Sequence, residues 1–143
     1  MSEDRAFHVV GLAHVGVASK DPEMTRRFFR DTLGLVFLGD EEVASQRVLT
    51  SLFDLPTGGP QPTVEVLAAT ADDSPIAQFV AKRGGGIHHV ALTVDDLDAA
   101  VASLRAGGVK LLSQAPGPGI HGTRTMFIHP HATGGVLVEL VGC

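Results

Sequence analysis

At 143 residues the chain has room for one ordinary domain or two small fused modules, which excludes a large multidomain enzyme. Hydrophobic residues at 44% and charged residues at 19% supply a packed core and exclude a disordered chain. Eleven basic against sixteen acidic side chains leave a formal charge of −5, and Tyr and Trp are absent, so the chain lacks both the phosphate-neutralising charge and the usual stacking rings of a nucleic-acid binder.

In chain order, Gly11-Leu12-Ala13-His14-Val15-Gly16-Val17 reads as a strand. Asp21-Pro22-Glu23 then supplies a cap and a first-turn proline for an amphipathic helix, with Arg26, Arg27 and Arg30 on the wet face and Phe28 and Phe29 turned toward the core. Gly34 ends the helix in a left-handed conformation, and Leu33 to Leu38 enters a second strand. Gln46 to Leu55 reads as a third strand, bounded by Thr57-Gly58-Gly59-Pro60, and Val64-Glu65-Val66-Leu67 as a fourth. Asp72 to Lys82, with Ser74 as cap and Pro75 at the first helical position, reads as a joining helix, followed by the glycine hinge at 84–86.

The pattern then repeats. Gly86-Ile87-His88-His89-Val90-Ala91-Leu92 matches the first strand, with His14 and His89 75 positions apart. Asp95-Asp96-Leu97 opens another amphipathic helix ending at Gly108, which lies 74 positions after Gly34. Gly107 to Leu112 and Arg124 to Ile128 read as strands, His129 to Gly135 as a loop, and Val138-Glu139-Leu140-Val141 as the closing strand, with Glu139 74 positions after Glu65. These landmarks predict an α+β fold of two tandem βαβββ modules in one domain spanning 1–143. Module one covers about 8–70, the joining helix 72–83 and module two 84–143.

Alternation along the strands puts His14 on one face with Leu12 and Gly16, and His89 on the equivalent face with Ile87 and Ala91. The same alternation sets Glu65 between Thr63 and Leu67, and Glu139 between Leu137 and Val141, on strands that should be buried. A buried ionised carboxylate must be paired, protonated or given to a metal. Taken singly, each histidine would be a hydrogen-bonded core residue and each glutamate would pair with Arg47, Arg124 or Lys110. Modules packed about a pseudo-twofold axis would instead gather two imidazoles and two carboxylates around one divalent first-row cation, with positions left for water or substrate.

The sequence resembles the vicinal oxygen chelate superfamily and, within it, the methylmalonyl-CoA epimerases. The resemblance rests on His14-Val15-Gly16-Val17, Asp73-Ser74-Pro75-Ile76-Ala77, Gly85 to Leu92, Phe127-Ile128-His129-Pro130 and Thr133 to Leu140. It implies paired βαβββ modules forming a curved sheet around one divalent metal, cobalt first and zinc, nickel or manganese next, held by His14, Glu65, His89 and Glu139. It implies an isomerase that inverts the carbon between a thioester carbonyl and a carboxylate in an acyl-CoA, with Glu139 as a catalytic proton carrier. A homodimer is implied as well.

Three positions depart from the family pattern: Thr50 stands where some bacterial epimerases carry a second glutamate, Arg47 where the family has glycine, and His131 where it has lysine. A water on the metal or Glu42 from the preceding loop would have to replace the second base. Lys82, Arg83, Arg124, His121 and the helix start at Ser74 are available for a CoA tail, yet each also reads as an ordinary solvated group, and no substrate contact is assigned. Two rivals remain: a lactoylglutathione lyase-like or other metal-dependent isomerase on the same ligands, and a metal-free small-ligand binding protein. A ring-cleaving dioxygenase fits less well, because a fourth protein ligand would crowd out oxygen. Cys143 alone excludes a disulfide framework and a cysteine-based zinc cluster. Two early acids and the lack of a long unbroken apolar stretch complete the expectation of a cytoplasmic protein with no membrane partner.

Overall fold

The computed structural model describes residues 4–56 and 62–143, so the turn expected at Thr57 to Pro60 lies outside the described residues. Eight strands and three α-helices are found among the described residues. They are β1 (Val9–Ser19), α1 (Pro22–Arg27), β2 (Val36–Val43), β3 (Val48–Asp54), β4 (Thr63–Ala69), α2 (Pro75–Arg83), β5 (Gly85–Val94), α3 (Leu97–Ala106), β6 (Gly117–Pro118), β7 (Arg124–Ile128) and β8 (Val138–Gly142). Two compact units form, one from His14–His88 and the other from Met1–Ala13 with His89–Cys143.

In the His14–His88 unit the strands run in the order β2-β3-β4-β1. β3 is antiparallel to both β2 and β4, and β4 is parallel to β1. One sheet face carries Ser51 and Phe53 and receives the first helix. The Phe29 ring meets Phe53 edge-on at 5.9 Å, and Phe37 lies 5.4 Å from it. Arg26 is therefore not simply a wet-face residue: its guanidinium donates to the hydroxyl of buried Ser51 at 3.2 Å, and that hydroxyl donates to Asp40. The other face carries Val48, Leu67 and Ala18, which pack with Ile76 and with Phe79 and Val80 of α2.

Local chemistry explains the first helix up to a point. The Asp21 carboxylate accepts from the Met24 amide at 3.1 Å and Pro22 occupies the first turn, as the sequence predicts. After Arg27 the helix widens into a π turn over Phe28–Thr32, where the Leu33 amide reaches back five residues to the Phe28 carbonyl at 3.0 Å. Phe29 turns inward, whereas Phe28 stays half exposed. Gly34 follows with φ +76°, and Gly108 after α3 has φ +79°, the left-handed terminators expected at both places.

Strand β2 contains a bulge at Leu38. Phe37 pairs with Phe53, but Gly39 pairs with Leu52, so one residue is left over. Gly39 has φ +128°, open to glycine and strained for other residues. Beyond the bulge the pairs are Asp40 with Ser51, Glu41 with Thr50 and Glu42 with Leu49. The third strand begins at Val48 rather than Gln46, because Ala44–Gln46 forms a short 3-10 turn and Arg47 takes a left-handed conformation with φ +53°.

In the other unit the order is β5-β8-β7-β6, with β5 parallel to β8 and antiparallel pairing beyond. α3 starts at Asp96, whose carboxylate accepts from the Ala99 amide at 3.0 Å. Its inner face joins Phe7, Val94, Leu97, Ala100, Val101, Met126, Ile128 and Leu140 in one core. His8 and Asp95 clip the chain's first segment to the end of β5: the His8 amide donates to the carboxylate at 2.8 Å, and the Asp95 amide donates to the His8 carbonyl at 3.1 Å.

The strand expected at Gly107 to Leu112 does not form. The Val109 amide is taken by the helix carbonyl of Leu104 at 2.9 Å, and only Leu111 bridges to Ile128. Pro116 and Pro118 cannot donate to a ladder, and glycines on either side of the segment weaken extended structure, so the edge shrinks to the two residues of β6.

Candidate metal and proton-transfer site

Parallel pairing positions the first histidine–carboxylate couple. Gly16 pairs with Glu65, and His14 lies two residues back on the same face of β1. The glycine leaves the imidazole room to lean across, and His14 Nε2 lies 3.0 Å from Glu65 Oε2. Glu65 is only 3% exposed. The carboxylate therefore sits away from water against an imidazole nitrogen.

The second couple repeats this register in the other unit. Ala91 pairs with Glu139, again with a small residue beside the carboxylate, and His89 lies two positions back. His89 Nε2 and Glu139 Oε1 are 3.6 Å apart, and both residues are buried. That separation exceeds hydrogen-bond range. Phe127, the cross-strand partner of Glu139, presents its ring edge-on to His89 at 5.4 Å and holds the imidazole plane. The sequence placed Phe127 only in the motif Phe127 to Pro130, without a role at the site; the pairing with Glu139 gives it one.

The donor chemistry fits a divalent cation. Imidazole nitrogen and carboxylate oxygen ligands sit about 2.1 Å from such an ion, so two of them at right angles are about 3 Å apart. Separations of 3.0 Å and 3.6 Å bracket what two neighbouring ligands of one ion adopt. Two of the basic groups that were the alternative engage other acids. The Arg47 guanidinium lies 3.0 Å from Asp73, and that of Arg124 2.7 Å from Asp98.

The other candidates fall elsewhere. His88 faces away from His89 along β5, with its ring 5.0 Å from Phe79 of α2. The Arg83 guanidinium lies over the Phe79 ring, 5.5 Å from its centroid. Ser74 caps α2, accepting from the Ile76 amide at 3.2 Å. Thr50 is buried at 2% exposure on the face that bears Glu65, since Leu52 pairs with Glu65 and Thr50 with Leu67. Glu42 cannot reach this face: it pairs with Leu49 on the Ser51 side and is exposed. The bulge at Leu38 sets that parity, and it is Glu41, half-buried, that stands beside Thr50.

Residues 13–127 match the family described as Glyoxalase/Bleomycin resistance protein/Dioxygenase superfamily. The mitochondrial methylmalonyl-CoA epimerase of Bos taurus is 37% identical over 130 residues, covering 90% of this chain and 72% of that protein. The crystal structure of methylmalonyl-CoA epimerase from Mycobacterium tuberculosis superposes with a TM-score of 0.89 at 36% identity, covering 99% of this chain and 92% of that one. A methylmalonyl-CoA epimerase in complex with methylmalonyl-CoA and ammonium superposes with a TM-score of 0.87 at 33% identity, covering 94% and 95%.

Proposed function

Because the chain belongs to the glyoxalase/bleomycin resistance protein/dioxygenase superfamily, we propose that it is a metal-dependent methylmalonyl-CoA epimerase. The recurrence of an imidazole beside a buried carboxylate at the same strand register in both modules carries this reading. His14, Glu65, His89 and Glu139 would together hold one divalent cation, with cobalt the first candidate. The two modules with the joining helix at 72–83 act as one domain.

The reaction inverts the carbon between a thioester carbonyl and a carboxylate. Its hydrogen is weakly acidic, so the site must lower the energy of the planar anion left when the proton departs. A divalent cation held by these residues would supply Lewis-acid stabilisation of the developing oxyanion. His14 and His89 contribute neutral nitrogen donors, and Phe127 limits rotation of the His89 ring. Burial of Glu65 keeps its carboxylate from water. Glu139 takes the proton on one face of the carbon, and inversion then needs a second group on the other face or turnover of the planar intermediate.

An acyl-CoA is the substrate class. The exposed apolar run Val36, Phe37 and Leu38, beside exposed Leu33 and Phe28, supports a homodimer. Free Cys143 is consistent with a reducing, cytoplasmic setting, and no helix is long and apolar enough to cross a membrane among the described residues.

Incubation of the cobalt-loaded protein with methylmalonyl-CoA in heavy water tests the assignment. Deuterium should enter the α position as the stereoisomers equilibrate. Absence of α-deuteration, together with turnover of a glutathione hemithioacetal, would transfer the protein to the lyase branch of the same superfamily.

A further inference from the structure

The geometry points to Glu41 as the second proton-transfer group, a conclusion that rests on the epimerase reading above. Inversion needs a proton removed from one face of the carbon and another delivered to the opposite face. One group acting alone returns the proton to the side it came from, unless the planar intermediate turns over in the site.

The strand register narrows the choice. In the unit formed by Met1–Ala13 and His89–Cys143, the face bearing His89 and Glu139 also carries Thr93, Thr125, Phe127 and Val141 at strand positions, none of them a general base. In the His14–His88 unit, the face bearing His14 and Glu65 carries two further carboxylates, Asp54 and Glu41. Asp54 has a short side chain, and its Oδ1 accepts from the Leu55 amide at 2.9 Å. Glu41 has the longer side chain. Among the described residues no hydrogen bond or ion pair engages its carboxylate.

Burial along β2 agrees. Gly39, Glu41 and Val43 are half-buried while Asp40 and Glu42 are exposed, so Glu41 belongs to the inner set. Its cross-strand neighbour Thr50 is short and buried, and directly opposed residues on one face have Cβ atoms about 5 Å apart. A glutamate at position 41 can therefore extend over Thr50 and occupy the space that a longer side chain there would fill. Thr50 is no base, but its small size makes room for one.

The step balances without a further reactant. One carboxylate takes the α-hydrogen as a proton, and the C–H electron pair stays with the substrate as the enolate. The other, already protonated, delivers its proton to the opposite face and a new C–H bond forms. After a turnover Glu41 and Glu139 have exchanged protonation states, and the reverse direction uses them in opposite roles.

The test uses the metal-loaded protein and each stereoisomer of methylmalonyl-CoA separately, in heavy water. Glu41→Gln should lower kcat for inversion by about 100-fold or more with little change in KM. It should still exchange the α-hydrogen of one stereoisomer, without inverting it, and leave the other inert. Adding Thr50→Glu to Glu41→Gln should restore inversion, because the carboxylate returns from the neighbouring strand. Glu42→Gln and Asp54→Asn should invert at the rate of the parent. Inversion by Glu41→Gln at the parent rate, equal loss of exchange with both stereoisomers, or loss in Asp54→Asn instead would overturn the assignment of Glu41 alone. No exchange by the parent protein would overturn the epimerase reading and Glu41 with it. Should Glu41→Gln fold poorly, Glu41→Asp, which keeps the charge and shortens the reach, should retain stereoselective exchange with slower inversion, and unimpaired inversion would again refute the role.

Discussion

His14 Nε2 stands 3.0 Å from Glu65 Oε2 on neighbouring parallel strands, the imidazole half-buried and the carboxylate buried. In chelator-treated protein, His14→Ala leaves a buried charge without its imidazole. Removing one member of a buried pair costs about 3–5 kcal/mol. Urea unfolding near neutral pH should show a loss of that size, and His14→Ala combined with Glu65→Leu should recover most of it. A loss below about 1 kcal/mol in the single variant, the scale of an exposed pair, would mean that the couple is solvated.

Metal loading should raise thermal stability in proportion to the logarithm of free cation. At a concentration about 100 times the dissociation constant the gain is about 2.7 kcal/mol, and chelation should remove it. Replacing any one of His14, Glu65, His89 or Glu139 by Ala should weaken cobalt binding by at least about 10-fold in calorimetry, the scale already seen when only an outer partner of a ligand is lost. Affinity should also fall on acidification, since the imidazoles must shed their protons to bind.

Gly142 ends β8 against the first turn of α3. A Cβ at this position would lie 2.8 Å from the Leu97 Cβ, which is fixed to the backbone of a buried residue and cannot rotate away. Gly142→Ala should therefore destabilise the protein by about 1–3 kcal/mol, as overpacking does. Equal denaturation midpoints for variant and parent would show that α3 shifts freely on β8.

Acid stability should depend on two exposed clips. The amide of His8, then its imidazole, holds the Asp95 carboxyl below its ordinary value of 3.8, and the Arg124 guanidinium does the same for Asp98. A carboxylate with a lowered folded pKa stabilises the fold above its unfolded value, and that contribution is lost as pH falls through the folded one. Stability should thus decline below pH 3.8, and Asp98→Asn should flatten the decline. Parallel stability–pH curves for Asp98→Asn and the parent would remove this pair from the account.

Much of the scaffold was legible because duplication writes it twice. The offset from His14 to His89 and that from Glu65 to Glu139 differ by one residue, so both couples arise from the same strand register, and the caps at Asp21, Ser74 and Asp96 follow from local chemistry. What escaped depends on pairing between segments. The bulge at Leu38 exists only relative to β3, and without it alternation assigns the wrong acid to the inner face. The π turn at Phe28–Thr32 and the missing strand after Gly108 likewise reflect competition between helix carbonyls and neighbouring strands, which no single segment encodes.

One extra residue in an edge strand thus acts as a phase shifter. Three consecutive acids, Asp40, Glu41 and Glu42, offer the same charge to either side of the sheet, and the insertion chooses among them. If Leu38 instead paired with Leu52, with no bulge and no change of length, the frame would slide by one and bring Asp40 opposite Thr50, a side chain one methylene shorter. A chain of the same length that loses the bulge would exchange one inward acid for another without a substitution at any of the three.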